Sequence, residues 1–553
     1  MRRIVLPALL GAGASLLMLG QATDTRPKFQ AASVEVAPAG AQGFRNMPGR
    51  DGRYTLKNAT MLDLVRIAYG FDADKILGGP SWLELDHFDI VAKPPGETSP
   101  DDEKLMLQTL LEDRFKLAVH KETKPIPGYA LTAPKKPSLK EAAGSEESGC
   151  KPQAAAGAQS EGGSGTLFIA GAGGGNPVRI ALGPGAMITY VCRNTTMAAF
   201  AQGLRSMIGA NIGTSPVLEE TGLKGAWNFD VTYSLGLVGL AAGGSADRVS
   251  LAEAIDKQLG LKLEERQVPT PVLIVDGANR TPTPNAPDLS QVMPPIPPVT
   301  QFDVASVKPS DPGSSNGSMG VQVGGRLNVH GMPMRTLLML TFRDPLNLRT
   351  MQIVGLPKWA DSDHFDIVAK APPDAAQLDM MSIGPPMQAL LKERFKLEYH
   401  IEQQPQPAFT LETGKPKMKK ADPASRTSCK RANAPAGSPG GSQMIACQNI
   451  TMAQFADWMS YNGVGLNGPV SDATGLDGAW DFTLTFNFQA MAAARGGDGP
   501  DAGAQTPVAA DPQSGYTISE AIEKELGLKL ESTKKPQPVI VVDHIEEKPT
   551  EDQ

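Results

Sequence analysis

The residues best placed in this sequence to do chemistry are His87 with Asp89 and His364 with Asp366. Each pair sits two apart in the same heptapeptide, His-Phe-Asp-Ile-Val-Ala-Lys. On a strand, residues two apart point to one face. An imidazole beside a carboxylate can serve as an acid–base pair or as half a metal site. The alternation argues for a blander role. Phe88, Ile90 and Ala92 form the apolar face, which leaves His87 and Asp89 directed to water. His120 and His400 end a strand with no second ligand close in sequence, which favours a surface or capping role.

Other motifs fail on context. Gly313-Ser314-Ser315-Asn316-Gly317 fits the G-x-S-x-G pattern, but a hydrolase elbow needs a strand before it and a helix after. Here Asp311-Pro312 precedes it and more Gly and Ser follow. Gly171 to Gly175 has no Lys-Ser/Thr after it and no strand–helix frame, so it is not a phosphate loop. No H-E-x-x-H occurs. Trp82, Trp359, Trp227 and Trp480 could line a groove, but core packing at sheet ends is favoured. Glu219 or Glu220 with Thr221, and Asp472 with Thr474, stand before a Gly and read as turn chemistry; carbohydrate or calcium contact is the alternative.

These residues recur because the chain does. Arg114-Phe115-Lys116-Leu117 returns as Arg394-Phe395-Lys396-Leu397, and Leu259-Gly260-Leu261-Lys262-Leu263-Glu264 returns as Leu526-Gly527-Leu528-Lys529-Leu530-Glu531. The period is far longer than the 20–50 residues of a solenoid, so it is a tandem duplication of whole domains. Copy one spans 28–280, with halves at 28–134 and 187–277 and a low-complexity insert at 135–186. A Pro-rich linker fills 281–300. Copy two spans 301–546, with halves at 301–414 and 444–546, and 547–553 is a tail.

The elements can be read locally. Thr60 with Asp63 forms a capping box before an apolar stripe of Met61, Leu64, Val65 and Ala68. Ser99-Pro100 followed by Asp101, Asp102 and Glu103 starts a second helix. Phe115 to Val119 and Tyr129 to Thr132 read as separate strands. Thr196 and Thr451 cap matching helices in the second halves, and the Trp227 and Trp480 segments alternate as half-buried strands. Ser250-x-x-Glu253 and Thr517-x-x-Glu520 open the last helices, which Gly260 and Gly527 close. Val272 to Val275 and Val539 to Val542 are final strands. The order predicts an α+β fold: two homologous copies, each of two small sandwich-like halves with mixed or antiparallel sheets.

At 553 residues the chain can bury several cores. A net charge of −7 argues against nucleic acid as the main partner. Arg2 and Arg3, an apolar run from Ile4 to Leu19, and small residues to Ala22 read as a signal peptide over 1–22, cleaved after Ala22, with an uncleaved anchor as the alternative. No other segment approaches 18 apolar residues, so no stable membrane span is expected after cleavage. Four cysteines, Cys150, Cys192, Cys429 and Cys447, fall two per copy with no CxxC spacing. Export places them where disulfides persist, and pairing within each copy is the simplest arrangement.

The chain resembles a family of uncharacterised secreted proteins of soil bacteria, defined by one domain of unknown function. The resemblance is carried by Phe302-Asp303-Val304-Ala305-Ser306-Val307-Lys308-Pro309, Trp359 with Phe365-Asp366-Ile367, and the Arg-Phe-Lys-Leu segment through His400. Asn449-x-Thr451-Met452, Thr474-Gly475-Leu476-x-Gly478, the closing Leu-Gly-Leu-Lys-Leu-Glu and Val542-Asp543-His544-Ile545 complete it. Copy one departs at Glu35-Val36 and at Asp276-Gly277. The resemblance implies export and an α+β fold, with some members fused to sensor-type membrane metallopeptidases, and no established activity. The second halves are also similar in element order to the periplasmic modules of secretins and TonB-dependent receptors, which work by protein contact.

The expectation is an exported, non-catalytic binding or interaction protein of the cell envelope, secreted or periplasmic, with a protein partner and no nucleic acid. No catalytic, cofactor or metal residues are assigned; His87, Asp89, His364 and Asp366 are the polar candidates. The alternative is an envelope hydrolase, or a regulator of an envelope peptidase or sensor system.

Overall fold

The computed structural model describes residues 26–38, 43–48, 52–144, 147–154, 165–169, 178–182, 187–207, 212–234, 249–311, 317–322, 324–342, 352–373, 378–434, 438, 442–461, 464–466, 468–487 and 515–550. The segment read as a signal peptide, Gly171 to Gly175 and most of the G-x-S-x-G stretch lie outside them.

The fold is α+β, built on two tandem copies. In copy one the first half is an antiparallel sheet ordered Ala31–Val36, His87–Lys93, Tyr54–Thr60, Arg45–Pro48. The second half repeats that order with Lys140–Glu141, Trp227–Ser234, Met187–Thr195 and Gly149–Ala154. Two of these strands therefore come from the stretch read as a low-complexity insert. Lys140–Glu141 and Gly149–Ala154 both lie at sheet edges, where short polar strands are tolerated because only one side needs a partner. Copy two has the same arrangement in both halves.

Of the segments read as two short strands, Phe115 to Val119 and Tyr129 to Thr132, Phe115 ends the preceding helix, Lys116 caps it, and Ala118-Val119 and Tyr129 to Thr132 belong to one 15-residue strand, Ala118–Thr132. It pairs antiparallel along its length with Lys262–Gly277. Pro125 stands directly opposite Pro269, and Pro405 opposite Pro536 in copy two. Two facing prolines cannot exchange N–H···O bonds. They fit only at a non-hydrogen-bonded pair, where the missing N–H would have faced outward. Third strands add only toward the ends: Ile76–Gly78 runs parallel to Leu273, Ile274 and Val275, and Val217–Glu220 runs parallel to Tyr129 through Thr132. The prolines thus blunt the exposed middle of the ribbon against further pairing.

The ribbon joins two cores. Leu273 and Val275 pack in the first half of copy one, and Leu131, with Leu263 against it, in the second. In copy two, Ile540 and Val542 serve the first core, and Leu411 and Leu528 the second. The halves are related to each other as well as the copies. Each runs through two strands, a bulged strand, a helix, a short strand, a strand, a helix and a ribbon strand.

The local sequence explains the elements. Thr60 and Ser250 close capping boxes, and Thr196 caps Met197–Gly203. The last helices begin as α and finish as a single π turn, Ile255–Leu259 and Ile522–Leu526. They end in left-handed residues, Gly260 at φ 70° and Gly527 at φ 68°. At Gly527 a Cβ would also lie 1.8 Å from the Lys415 carbonyl oxygen. The first-half helices end in the same conformation at Lys116 and Lys396.

The linker is strapped down. Arg280 forms an ion pair with Asp86, and the Arg114 guanidinium donates to the Thr283 carbonyl at 2.5 Å and to Asn285 at 2.7 Å. Val299 is buried in the first core of copy two. The copies also touch directly, with Arg45 of copy one 3.0 Å from Asp379 of copy two.

Candidate functional site

The repeated His-Phe-Asp segments form middle strands with alternating burial, and Phe88, Ile90 and Ala92 point inward as the alternation requires. The expectation that His87 and Asp89 simply point to water is wrong for the aspartate. The neighbouring strand carries a bulge between Leu56 and Ala59, and its residue Asn58 is left-handed at φ 54°. Asp89 Oδ1 accepts the Asn58 backbone N–H at 2.8 Å, and Oδ2 accepts Lys57 Nζ at 2.8 Å. In copy two the bulge falls between Val329 and Met332, with Gly331 at φ 59°. Asp366 Oδ1 accepts the Gly331 N–H at 2.7 Å and Ser310 Oγ at 2.6 Å, and His330 Nδ1 lies 3.1 Å away. Burial works against the Asp366 charge, but the bonds from Ser310, Gly331 and His330 together hold its carboxyl below the usual range.

The histidines do not join these carboxylates. His87 bonds to the backbone of Leu85, and its pKa is lowered chiefly by burial, against the raising effect of that bond and of Asp63 and Asp86. His364 Nδ1 stands 2.8 Å from the Ser362 carbonyl oxygen.

The second halves use the same device. Asn194 at φ 43° donates its N–H to Asn228 Oδ1 at 2.8 Å, and Asn449 at φ 48° donates to Asp481 Oδ1 at 2.8 Å. All four bulges lead straight into a helix. The sequence carries the trace: Asn58-Ala59-Thr60-Met61, Asn194-Thr195-Thr196-Met197, Asn449-Ile450-Thr451-Met452 and Gly331-Met332-Pro333-Met334 face Phe88-Asp89, Trp227-Asn228, Trp480-Asp481 and Phe365-Asp366.

Other duplicated polar residues are likewise engaged. Glu219 Oε1 accepts the N–H and hydroxyl of Thr221, whose Oγ1 accepts the Leu223 N–H. Asp472, Thr474 and Leu476 repeat this. Trp82, Trp227, Trp359 and Trp480 pack in or against the four cores. Arg394 is buried and donates to the Thr550 carbonyl at 2.6 Å, the counterpart of Arg114 on Thr283.

One pairing escaped the sequence reading. His120 and His400, read as surface or capping residues with no second ligand close in sequence, are half exposed, and each meets a carboxylate across the ribbon. His120 Nδ1 lies 2.9 Å from Asp276, and His400 Nδ1 lies 2.9 Å from Asp543. Both pairs are about half exposed. The hydrogen bond to Asp543 raises the His400 pKa. The signal was the duplicated Asp ending each last strand, but only the ribbon register reveals which histidine it meets.

The cysteines pair within each copy, Cys150 with Cys192 and Cys429 with Cys447, directly opposite one another on adjacent strands with Cα–Cα of 4.0 Å. Such bonds fit an extracellular or periplasmic protein. Among the described residues no helix is long and apolar enough to cross a membrane, and no group of three or more His, Cys, Asp or Glu is arranged to hold a metal ion.

A family model described as "Protein of unknown function (DUF3738)" matches residues 62–278 and again 340–545, together well over half of the chain. The chain belongs to the DUF3738 family. Each match starts in or beside the first helix of a copy and runs to the end of its ribbon. The disulfide and the His–Asp pair of the ribbon thus recur once in each DUF3738 match, whereas the first-half bulges at Asn58 and Gly331 lie just before the matched residues. No curated protein and no solved structure matches the chain.

Proposed function

We propose that this chain is an exported, non-catalytic binding or interaction protein of the cell envelope. One observation carries the reading: Asp89 and Asp366, the acidic members of the duplicated His-x-Asp segments, hold backbone bulges. The Thr221 and Thr474 loops and Arg114 and Arg394 are used in the same way, to hold turns and straps. The disulfides and the Arg2-Arg3 leader pattern support export. The net charge of −7 argues against nucleic acid and leaves protein as the proposed partner.

The test is cross-linking of the full chain in an envelope fraction, competed with unlabelled chain. A binding protein yields a discrete, competable partner that H87A/H364A leaves unchanged. A cross-linking profile without competition would overturn the reading.

The alternative, an envelope hydrolase or its regulator, draws on the exposed His120–Asp276 and His400–Asp543 pairs, each with the imidazole oriented by a carboxylate. Hydrolysis of ester, peptide or phosphodiester substrates that is lost in H120A/H400A would establish it in place of the binding role.

A further inference from the structure

The contact between the copies is a mixed polar lock. The Thr427 N–H of copy two donates to the Ser81 carbonyl of copy one at 3.1 Å. Arg426 Nη2 donates to the Ile76 carbonyl at 2.8 Å. Glu84 faces both neighbouring cations: Lys430 Nζ is 2.7 Å from its Oε2, and Arg426 Nη1 stands 3.5 Å from Oε1, an ion-pair distance rather than a hydrogen bond. The Glu84 side chain is only 10% exposed and Arg426 is largely buried, whereas Lys430 reaches Glu84 from a half-exposed position.

A duplicated protein faces a particular hazard here. The edge of copy two sits on the rim of copy one, a contact between unlike faces. Each chain also carries the other two faces, the edge of copy one and the rim of copy two. If those fitted equally well, chains would join head to tail without closing. The disulfides align the edges: Cys150 matches Cys429, so Glu147, Ser148 and Lys151 take the places of Arg426, Thr427 and Lys430. Trp359 matches Trp82 on the rim, so Lys358 and Asp361 take the places of Ser81 and Glu84.

We infer that the lock runs in one direction only: the edge of copy two closes on the rim of copy one within the chain, and the reciprocal contact between chains is vetoed by like charge. Where Arg426 meets Glu84, Glu147 would meet Asp361, and Lys151, which stands where Lys430 meets Glu84, is already drawn to Glu147 rather than free for Asp361. Glu147 instead pairs with its own Lys151 at 2.6 Å, and Asp361 with Arg335. Repulsion between matched positions is how related surfaces exclude wrong partners.

The test uses the full chain. Hydrogen exchange reads the Thr427 amide, whose acceptor is in the other copy. Wild-type protein should protect it, E84R should speed its exchange at least about tenfold, and the swap E84R/R426E/K430E should restore protection. If E84R does not fold, R426E/K430E on the edge strand gives the same reading. An unprotected Thr427 amide in wild type, or unchanged exchange in these variants, overturns the lock. Sedimentation tests direction: wild type stays monomeric, whereas E147R, at an exposed position, associates with rising concentration. Wild-type self-association, or a strictly monomeric E147R, overturns the charge veto.

Discussion

Asp366 accepts the backbone N–H of Gly331 at 2.7 Å across adjacent strands, and this single bond accounts for the acidic residue of the duplicated His-Phe-Asp segment. A bulge turns one backbone N–H out of the ladder, and a left-handed residue there needs an acceptor that the opposite strand does not supply from its main chain. A carboxylate one residue past the buried aromatic supplies it. The helix then starts from a fixed point, which sets how its apolar stripe meets the sheet.

Removing that acceptor should cost stability without changing the fold. D89A is expected to lower unfolding free energy by about 1–3 kcal/mol, and D366A, whose carboxylate is more exposed, by about 1 kcal/mol. Urea titration at neutral pH measures both. For Asp366 the folded-state pKa is depressed, so its contribution is fully present above the ordinary carboxylate pKa of about 4 and is lost as pH falls through the lower folded value. The difference between wild type and D366A should therefore shrink only in acid. A difference that is flat with pH would show that the charge is not the stabilising element.

Much of this fold can be read from the chain. The capping boxes at Thr60, Ser250 and Thr517, the alternation around Phe88 and Trp227, and the glycines ending the last helices all signal themselves, because each is a local choice. Two features do not. The ribbon is hidden because Pro125-Ile126-Pro127 and Pro269-Thr270-Pro271 read as strand breakers, and they are permitted only because each faces a partner with no need of its N–H. The kinship of the halves is hidden because its marks are exchanges that keep a role and change the residue: Phe for Trp on the middle strand, Asp for Asn opposite the bulge in copy one, and Lys for Gly at the left-handed helix end. Those become visible only once register places them side by side.

The two disulfides should differ in worth. They close segments of 42 and 18 residues, which by chain entropy alone corresponds to about 4 and about 3 kcal/mol. C150S/C192S is expected to lower the urea midpoint more than C429S/C447S. The reverse order would mean that Cys429–Cys447 acts by holding the edge that carries Arg426 and Lys430 rather than by restricting the unfolded chain.

The straps should also differ. Arg394 is buried beneath the tail, whereas Arg114 holds the linker at a more exposed site. R394A leaves the Thr550 carbonyl and its own packing space unfilled, and is expected to cost about 2–4 kcal/mol. R114A should cost less and act locally, with faster hydrogen exchange at Thr283, whose N–H donates to the Arg114 carbonyl. Equal destabilisation by the two would refute the assignment of Arg394 as the deeper anchor.

The His400–Asp543 pair makes the last prediction. The chain has six histidines, so their ring protons can be assigned and followed by NMR. The bond to Asp543 raises the His400 pKa above the ordinary value of about 6.5. A raised folded-state pKa means that the pairing stabilises the protein fully below the ordinary value, and that this contribution is lost as pH rises through the raised one. D543N should return the His400 midpoint toward about 6.5. High salt should lower the wild-type midpoint, since the pair is solvent-exposed and screened. A His400 midpoint indifferent to D543N would mean that the carboxylate does not hold the imidazole in solution, and would remove the ground for treating the ribbon end as an acid–base pair.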